Sequence, residues 1–137
     1  MSEGLVTVPS ARGFAETLQG LVDALDQRHV QVFARIDHAL NAREAGLELR
    51  PTTVVVFGAA QGGTPLMRAE QALGLDLPLR ALVYEDAEGQ VFVAYNEPAW
   101  IVARHGLEPS AFAPVAGMSR LLADVARQAG GAASPHA

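Results

Sequence analysis

The chain has 137 residues, half of them apolar, and a formal net charge of −5. This length is sufficient for one domain with a hydrophobic core. The ten basic residues are scattered, so we expect no partner that is a nucleic acid, because a phosphate backbone requires a clustered positive surface. The absence of cysteine excludes disulfides and thiolate metal sites.

The start of the chain, MSEGLVTVPS, has neither a basic segment nor a long apolar run. These are the two features of a secretory signal peptide. The longest uninterrupted apolar run is also far shorter than a membrane span. We therefore expect a cytoplasmic protein that has no contact with a membrane.

The first predicted elements are a short strand over residues 5–8, ended by Pro9, and an amphipathic helix. Ser10 is suited to cap that helix, because its hydroxyl can accept from a free backbone N–H group. Apolar residues recur at helical spacing from Phe14 to Leu25 and predict one face packed on a core. Gly20 within the helix suggests close packing on a sheet.

Residues 30–37 predict a second strand, followed by a short helix over 39–45. Strict alternation would place Val30, Val32, Ala34 and Ile36 on one face and Phe33 and Arg35 on the other. If the alternation continues, His38 lies on the apolar side at the strand's end.

Residues 52–57 are apolar on both faces, as in a central strand, and the glycine-rich sequence GAAQGGT follows them. We predict a turn there and a helix over 64–71. The helix N-terminus behind Gly62, Gly63 and Thr64 could hold a carboxylate or phosphate. The alternative is that these glycines only permit a tight turn. The sequence lacks the Gly-Lys-Ser/Thr of a phosphate-binding loop.

A hairpin over 79–95, a short helix over 97–105 and a last helix after Pro114 complete the domain. The order β-α-β-β-β-β-α, with small helical inserts, predicts an α+β fold of two layers, a mostly antiparallel sheet with helices on one face. We place one domain at 1–129 and a disordered tail at 130–137. The second sheet face, carrying Phe33, valines and aromatic residues, suggests a dimer or a ligand.

His38 is the most suggestive single residue for chemistry. A neutral imidazole at the rim of an apolar strand face could bind a metal or haem iron, or act as an acid–base group. The alternative is a histidine that caps the following helix or is hydrogen-bonded in a crowded corner. A symmetric dimer would bring two copies of this histidine together. His105 ends a short helix, where its charged form would favour the helix dipole.

The chain resembles the DUF302 family of bacterial and archaeal domains of unknown function, over roughly residues 5 to 125. The resemblance lies in the order and spacing of the segments FARIDH (33–38), LRPT (49–52), VFG (56–58), GTPLM (63–67), LPL (77–79), YED (84–86) and YNEP (95–98). One departure is visible, because many members have Asn-Pro after the strand glycine where this chain has Ala59-Ala60. The departure concerns any function that depends on a rigid loop.

The resemblance implies a TBP-like α+β fold of β-α-β(4)-α order and a homodimer. It also associates the family's aspartate–histidine motif, here Asp37 and His38, with haem. We therefore predict a homodimeric domain that binds a small ligand, specifically haem, at the dimer interface through His38. The other predicted contacts are Val32 and Phe57 as apolar contacts and Arg35, Arg50 or Arg68 as propionate partners.

Two alternatives stay open from the sequence. The chain could be an enzyme acting on a small metabolite, with His38 and Asp37 as an acid–base pair and a deep pocket beside the Gly62–Thr64 segment. It could instead be a structural domain that binds a partner through a flat apolar interface and needs no cofactor.

Overall fold

The computed structural model describes residues 3–131. The predicted disordered tail therefore lies, from residue 132 onward, outside the described residues. Gly130 is buried, and its carbonyl accepts a hydrogen bond of 3.0 Å from the N–H of Ala11. The last helix is thus attached to the start of the chain.

Five strands form one antiparallel sheet with the spatial order β1-β5-β4-β3-β2. The outer strands are therefore β1 and β2. The strands are β1 (Leu5–Pro9), β2 (Gln31–Asp37), β3 (Thr52–Gly58), β4 (Leu79–Glu85) and β5 (Val91–Asn96).

Five α-helices accompany the sheet, and two short 3₁₀ turns follow α3 and α4. The predicted α+β class and the order of the elements are confirmed. The helices are α1 (Phe14–Gln27), α2 (His38–Glu44), α3 (Ala60–Ala69), α4 (Pro98–Arg104) and α5 (Ala113–Ala129), and the 3₁₀ turns are Gln71–Leu75 and Pro109–Ala111.

The main core lies between the sheet and the helices α1 and α5. Alternate residues of the three central strands face this core because side chains alternate along a strand. Burying an aliphatic or aromatic side chain contributes about 1.5–3 kcal/mol each, so this layer supplies most of the stability. Its fully buried large side chains include Leu21, Leu25, Val55, Phe57, Val83, Val93, Leu122 and Val125.

Gly20 packs helix against helix, and the prediction that it packs on the sheet was wrong. A Cβ atom placed on Gly20 would lie 3.2 Å from the Cα of Ala129 on α5. The absence of a side chain therefore lets α1 and α5 approach closely.

A β-bulge interrupts β2. Val32 pairs with Phe57 and Ala34 pairs with Val56, so Phe33 is an extra residue without a partner of its own. Residues opposite each other share a sheet face, so Val32 faces the helices while Ala34 faces away. The predicted unbroken alternation through β2 was therefore wrong, and Arg35 shares the helix side with its partner Val55.

The second face of the sheet has no helix packed on it among the described elements. Register places valines, a leucine and aromatic residues there, and the rings of Tyr84 and Phe92 stack with centroids 5.5 Å apart. Phe33, which we predicted on this face, lies on the other side because of the bulge.

The helix α3 begins at Ala60, four residues before the predicted start at Thr64. Ala59, in extended conformation, is the N-cap residue, and Gly62 and Gly63 lie inside the first turns. Glycine is unfavourable in helices by about 1 kcal/mol, so propensity alone argues against this start. Tertiary packing offsets that cost, because a Cβ on Gly62 would lie 3.0 Å from Cε of Met118.

Candidate functional site

A cavity of about 420 Å³ opens between the bulge of β2, the start of α3 and the middle of α5. Its size is in the range of pockets that hold small organic molecules. No ionisable side chain lines it. The lining residues are Val30, Phe33, Gly58, Ala59, Ala60, Gly62, Gly63, Met67, Leu77, Pro78, Leu79, Gly117, Met118 and Leu121.

Glycines create the space by withholding side chains from one wall. Gly58 ends β3 with a φ of +153°, a conformation that residues with a Cβ rarely adopt. Gly62 and Gly63 then bring the backbone of α3 close to Met118 and Leu77. The chain therefore turns from strand into helix beside an open apolar volume.

The bulge provides the cavity's rim. Phe33 lines the cavity and is also 48% exposed, so its ring lies where the cavity meets solvent. In a regular strand, residue 33 would face the opposite side of the sheet from Val32. The aromatic rim therefore depends on the single extra residue in β2.

His38 is the first residue of α2, and it is exposed. Its neighbour Asp37 is the N-cap, and a carboxylate oxygen of Asp37 accepts a hydrogen bond of 2.9 Å from the N–H of Leu40. The side chain of Asp37 is thus engaged with the helix backbone. His38 does not line the apolar cavity.

The predicted arginines lie apart from one another. Arg50 borders an open polar groove of about 640 Å³ beside α2, together with Arg43 and Glu48. Arg68 is exposed on α3 and borders neither this groove nor the cavity, and Arg35 is exposed on β2.

Val32 and Phe57 are partners across β2 and β3, but Phe57 is completely buried in the core. Gly62 and Gly63 line the apolar cavity, whereas Thr64 does not. The predicted site residues thus fall at three places: the α2 edge, the core and the cavity. Within residues 3–131, no group of three or more His, Asp and Glu residues is placed to hold a metal ion.

A charged cluster that the sequence did not reveal joins Asp76, Arg104 and His105. The carboxylate of Asp76 lies 2.6 Å from Nε2 of His105 and 2.7 Å from Nη1 of Arg104. Burial would raise the pKa of Asp76, but the hydrogen bond from His105 and the charge of Arg104 outweigh it and hold that pKa below its ordinary value of 3.8. Asp76 and His105 are 29 residues apart, so no local motif announces them.

Tyr95 is the other group with a shifted ionisation. Burial raises the pKa of its hydroxyl, the Glu97 carboxylate adds to this, and the charge of Arg127 opposes it. Tyr95 faces the main core and borders neither the cavity nor the polar groove, so this shift belongs to packing.

The five-stranded antiparallel sheet with helices on one face and a ligand-sized apolar cavity defines a small α+β domain. The chain belongs to the family described as domain of unknown function DUF302, whose model matches residues 6–125. The fold is similar to the crystal structure of an uncharacterized conserved DUF302 protein from Bacillus stearothermophilus. The TM-score is 0.81 at 20% identity, over 93% of this chain and 99% of that one.

The chain is also similar to parts of two longer curated proteins. It is 45% identical over 107 residues to the fluoride-specific ion channel FluC 1 of Brucella suis biovar 1, covering 78% of this chain and 42% of that protein. The same identity and length hold for FluC 1 of Brucella abortus biovar 1, of which 40% is covered. The chain thus spans about two fifths of the length of these relatives. Within residues 3–131, no helix has both the length and the apolar character needed to cross a membrane.

Proposed function

We propose that the chain is a ligand-binding domain that takes a small apolar molecule into the cavity between β2, α3 and α5. The observation that carries this proposal is a cavity of about 420 Å³ whose lining offers no ionisable side chain. A charged group placed there would lose its hydration without gaining a partner, so the buried part of the ligand is uncharged.

Two features of the lining favour a ligand over a merely unfilled space. Met67 and Met118 have flexible thioether side chains that adapt to different shapes. The aromatic ring of Phe33 stands at the rim, where it can pack on an entering ring or chain. Burial of apolar area at about 25 cal/mol per Å² supplies the binding free energy.

Gly117 allows a direct test, because it lines the cavity and a Cβ there would meet no atom within 4 Å. Gly117→Leu should fill the cavity without a clash, whereas Gly117→Ala should leave most of it open. We expect the neutral fluorophore N-phenyl-1-naphthylamine to bind the wild type and Gly117→Ala, and to bind Gly117→Leu at least tenfold more weakly. Equal binding to all three folded proteins would contradict the proposal.

We further propose that the domain works as a homodimer joined through the β2 edge face, which we define as Phe33, Ile36, Leu40, Leu47 and Leu49. These are five of the seven large apolar side chains that are exposed among residues 3–131. The segment 31–50 carries three arginines and three carboxylates, so it is neutral on a chain of net charge −5. A second copy can therefore approach this face without electrostatic repulsion.

The test of the dimer uses a matched pair of leucines. Leu47 belongs to the β2 edge face and is 65% exposed, while Leu75 lies elsewhere and is 79% exposed. We expect light scattering to report a dimer for the wild type and for Leu75→Glu, and a monomer for Leu47→Glu. A wild type that stays monomeric at concentrations of tens of micromolar would reject the dimer while leaving the cavity proposal intact.

Haem at this interface is a second candidate function. The observation that favours it is the exposed imidazole of His38, next to a groove bordered by Arg43 and Arg50 on the same edge. In a symmetric dimer, one His38 from each copy would supply two axial ligands and the arginines would face the propionates.

Haem titration tests that candidate. We expect a sharp Soret band at one haem per two chains in the wild type and in His29→Asn, a control at another exposed histidine. The band should be lost in His38→Ala. A weak band of equal height in all three proteins would mean non-specific uptake and would remove the candidate.

The similarity to the Brucella channels supports a role beside a fluoride channel as a further proposal. The test compares fluoride efflux from liposomes that contain the Brucella suis protein with or without the segment that matches this chain. A changed rate or a changed response to an apolar additive is expected. Identical efflux in both preparations would count against this role.

A further inference from the structure

A second, smaller cavity of about 120 Å³ lies at the end of the sheet where β4 begins and β5 ends. One wall is apolar, made by Leu79, Ile101, Leu122 and the ring of Trp100. The other wall is polar, made by Asp76, Arg80, Asn96 and Arg104. The volume equals the share of about four water molecules in the liquid, so a molecule of four or five heavy atoms fits.

Positive charge is in excess around this cavity. Asp76 is the one carboxylate in the lining, and it faces the guanidinium of Arg104 at 2.7 Å and that of Arg80 at 4.0 Å. His105 donates to the same carboxylate oxygen from behind the cavity wall. One carboxylate neutralises one of the two guanidinium groups and leaves a net positive charge, on a chain whose overall charge is −5.

Hydrogen-bond donors are also in excess. A guanidinium group carries five N–H donors. Among the described residues, Arg104 uses one of them on Asp76, and Arg80 makes an ion pair that is too long for a hydrogen bond. Asn96, opposite Arg80 in the next strand, adds a side-chain amide. The nearby carboxylate of Glu97 accepts from Ser119 on α5 and does not line the cavity.

We propose that this cavity is a binding site for a small oxyanion, a carboxylate or a phosphate, held between Arg80 and Arg104. Guanidinium groups match the planar or tetrahedral oxygens of such anions through paired hydrogen bonds. The apolar wall excludes water from one side and strengthens the attraction. His105 keeps Asp76 partnered when Arg104 turns to the anion, so the site can open without leaving a buried carboxylate alone.

Trp100 gives the site a built-in reporter. It is the only tryptophan of the chain, and the guanidinium carbon of Arg104 lies 5.9 Å from its ring centroid. An anion that draws Arg104 away from the ring should change the tryptophan emission. Inorganic phosphate and acetate are titrated separately at constant ionic strength, with sodium chloride as the comparison salt.

We expect a saturable change in emission with phosphate, acetate or both, and the identity of the effective anion distinguishes the two sources. Arg80→Gln should weaken the midpoint at least tenfold, while Arg68→Gln, an exposed arginine away from this cavity, should leave it unchanged. Equilibrium dialysis with labelled phosphate or acetate checks binding independently of fluorescence. No saturable binding in the wild type by either method, or equal binding by Arg80→Gln, would overturn the proposal. The apolar cavity is tested with a neutral probe, so either proposal can fail alone.

Discussion

The two edges of the sheet end in opposite ways. At the β1 edge the chain is fastened by hydrogen bonds, because Ser10 donates its N–H to Val91 at 2.8 Å and its carbonyl accepts from the side chain of Gln90 at 2.8 Å. Thr17, completely buried, pairs its hydroxyl with that of Ser10 at 2.6 Å. At the β2 edge, no residue of β2 or α2 is buried.

The difference shows that this chain has the means to close an edge and uses them at one side only. An open edge strand with exposed apolar side chains is a liability that proteins normally cover or charge. Leaving β2 open beside the rim of the apolar cavity is consistent with an edge that meets a partner or ligand. The following predictions test whether stability resides at the closed side and function at the open side.

The largest difference should come from the same substitution made on both sides. Leu21 on α1 is completely buried, whereas Leu40 on α2 is 43% exposed. We expect Leu21→Ala to lower the free energy of unfolding by about 2–5 kcal/mol, since it leaves a cavity in the core. Leu40→Ala should change it by less than about 0.5 kcal/mol. Urea denaturation of both variants, below the dimerisation range, decides between them, and equal losses would remove the distinction between the edges.

Acid should loosen the packed half through Asp76. Its pKa is lowered in the folded protein, so its contribution to stability is present above pH 3.8 and is lost as the pH falls through the lower folded value. We expect Asp76→Asn to destabilise by about 1.5–3 kcal/mol at pH 6, the range for hydrogen bonds to charged groups. The gap between variant and wild type should narrow when unfolding is measured at the acid end. A constant gap across that range would show that the charge of Asp76 is unimportant.

Removing one buried hydroxyl should cost somewhat less. Thr17 donates to the carbonyl of Gly13 at 2.8 Å and partners Ser10, so Thr17→Val leaves both groups unsatisfied in the interior. We expect a loss of about 1–3 kcal/mol in the free energy of unfolding. Thr17→Ser keeps the hydroxyl and should lose clearly less. Comparable losses in thermal denaturation of the two variants would mean that the lost methyl contact matters more than the hydrogen bonds.

The smallest global effect should come from the N-cap of α2. Asp37→Ala removes the acceptor for the N–H of Leu40, a change that costs about 0.5–2 kcal/mol of helix stability. Because α2 buries no residue, we expect faster hydrogen exchange within 38–44 and almost no change in global unfolding. Asp37→Asn, which keeps a capping oxygen, is the control. A matching drop in global stability would show that α2 is part of the packed core.

The sequence was sufficient for the fold because its elements have strong local signals. The amphipathic pattern of α1 and the loop before Val91 predicted helix and hairpin within a few residues of their observed bounds. The same local logic failed at α3, where Gly62 and Gly63 look like a turn and are helical. Contacts with Met118 and Leu77, far along the chain, decide that conformation.

The site was less predictable than the fold, since its parts are joined only by tertiary structure. The cavity depends on an extra residue in β2 that no periodicity announces, and the Asp76–His105 pair joins residues from two separate connections. His38 was conspicuous as a residue type, and haem binding through it stays a prediction.

The bulge at Phe33 makes this residue dispensable for the sheet. The pairing of Val32 with Phe57 and of Ala34 with Val56 would form an uninterrupted ladder if Phe33 were deleted. A one-residue deletion here should therefore leave every other strand pair in register and remove only the ring at the cavity's rim. Length variation at this position is thus a route by which relatives of this domain can exchange one ligand for another without rebuilding the fold.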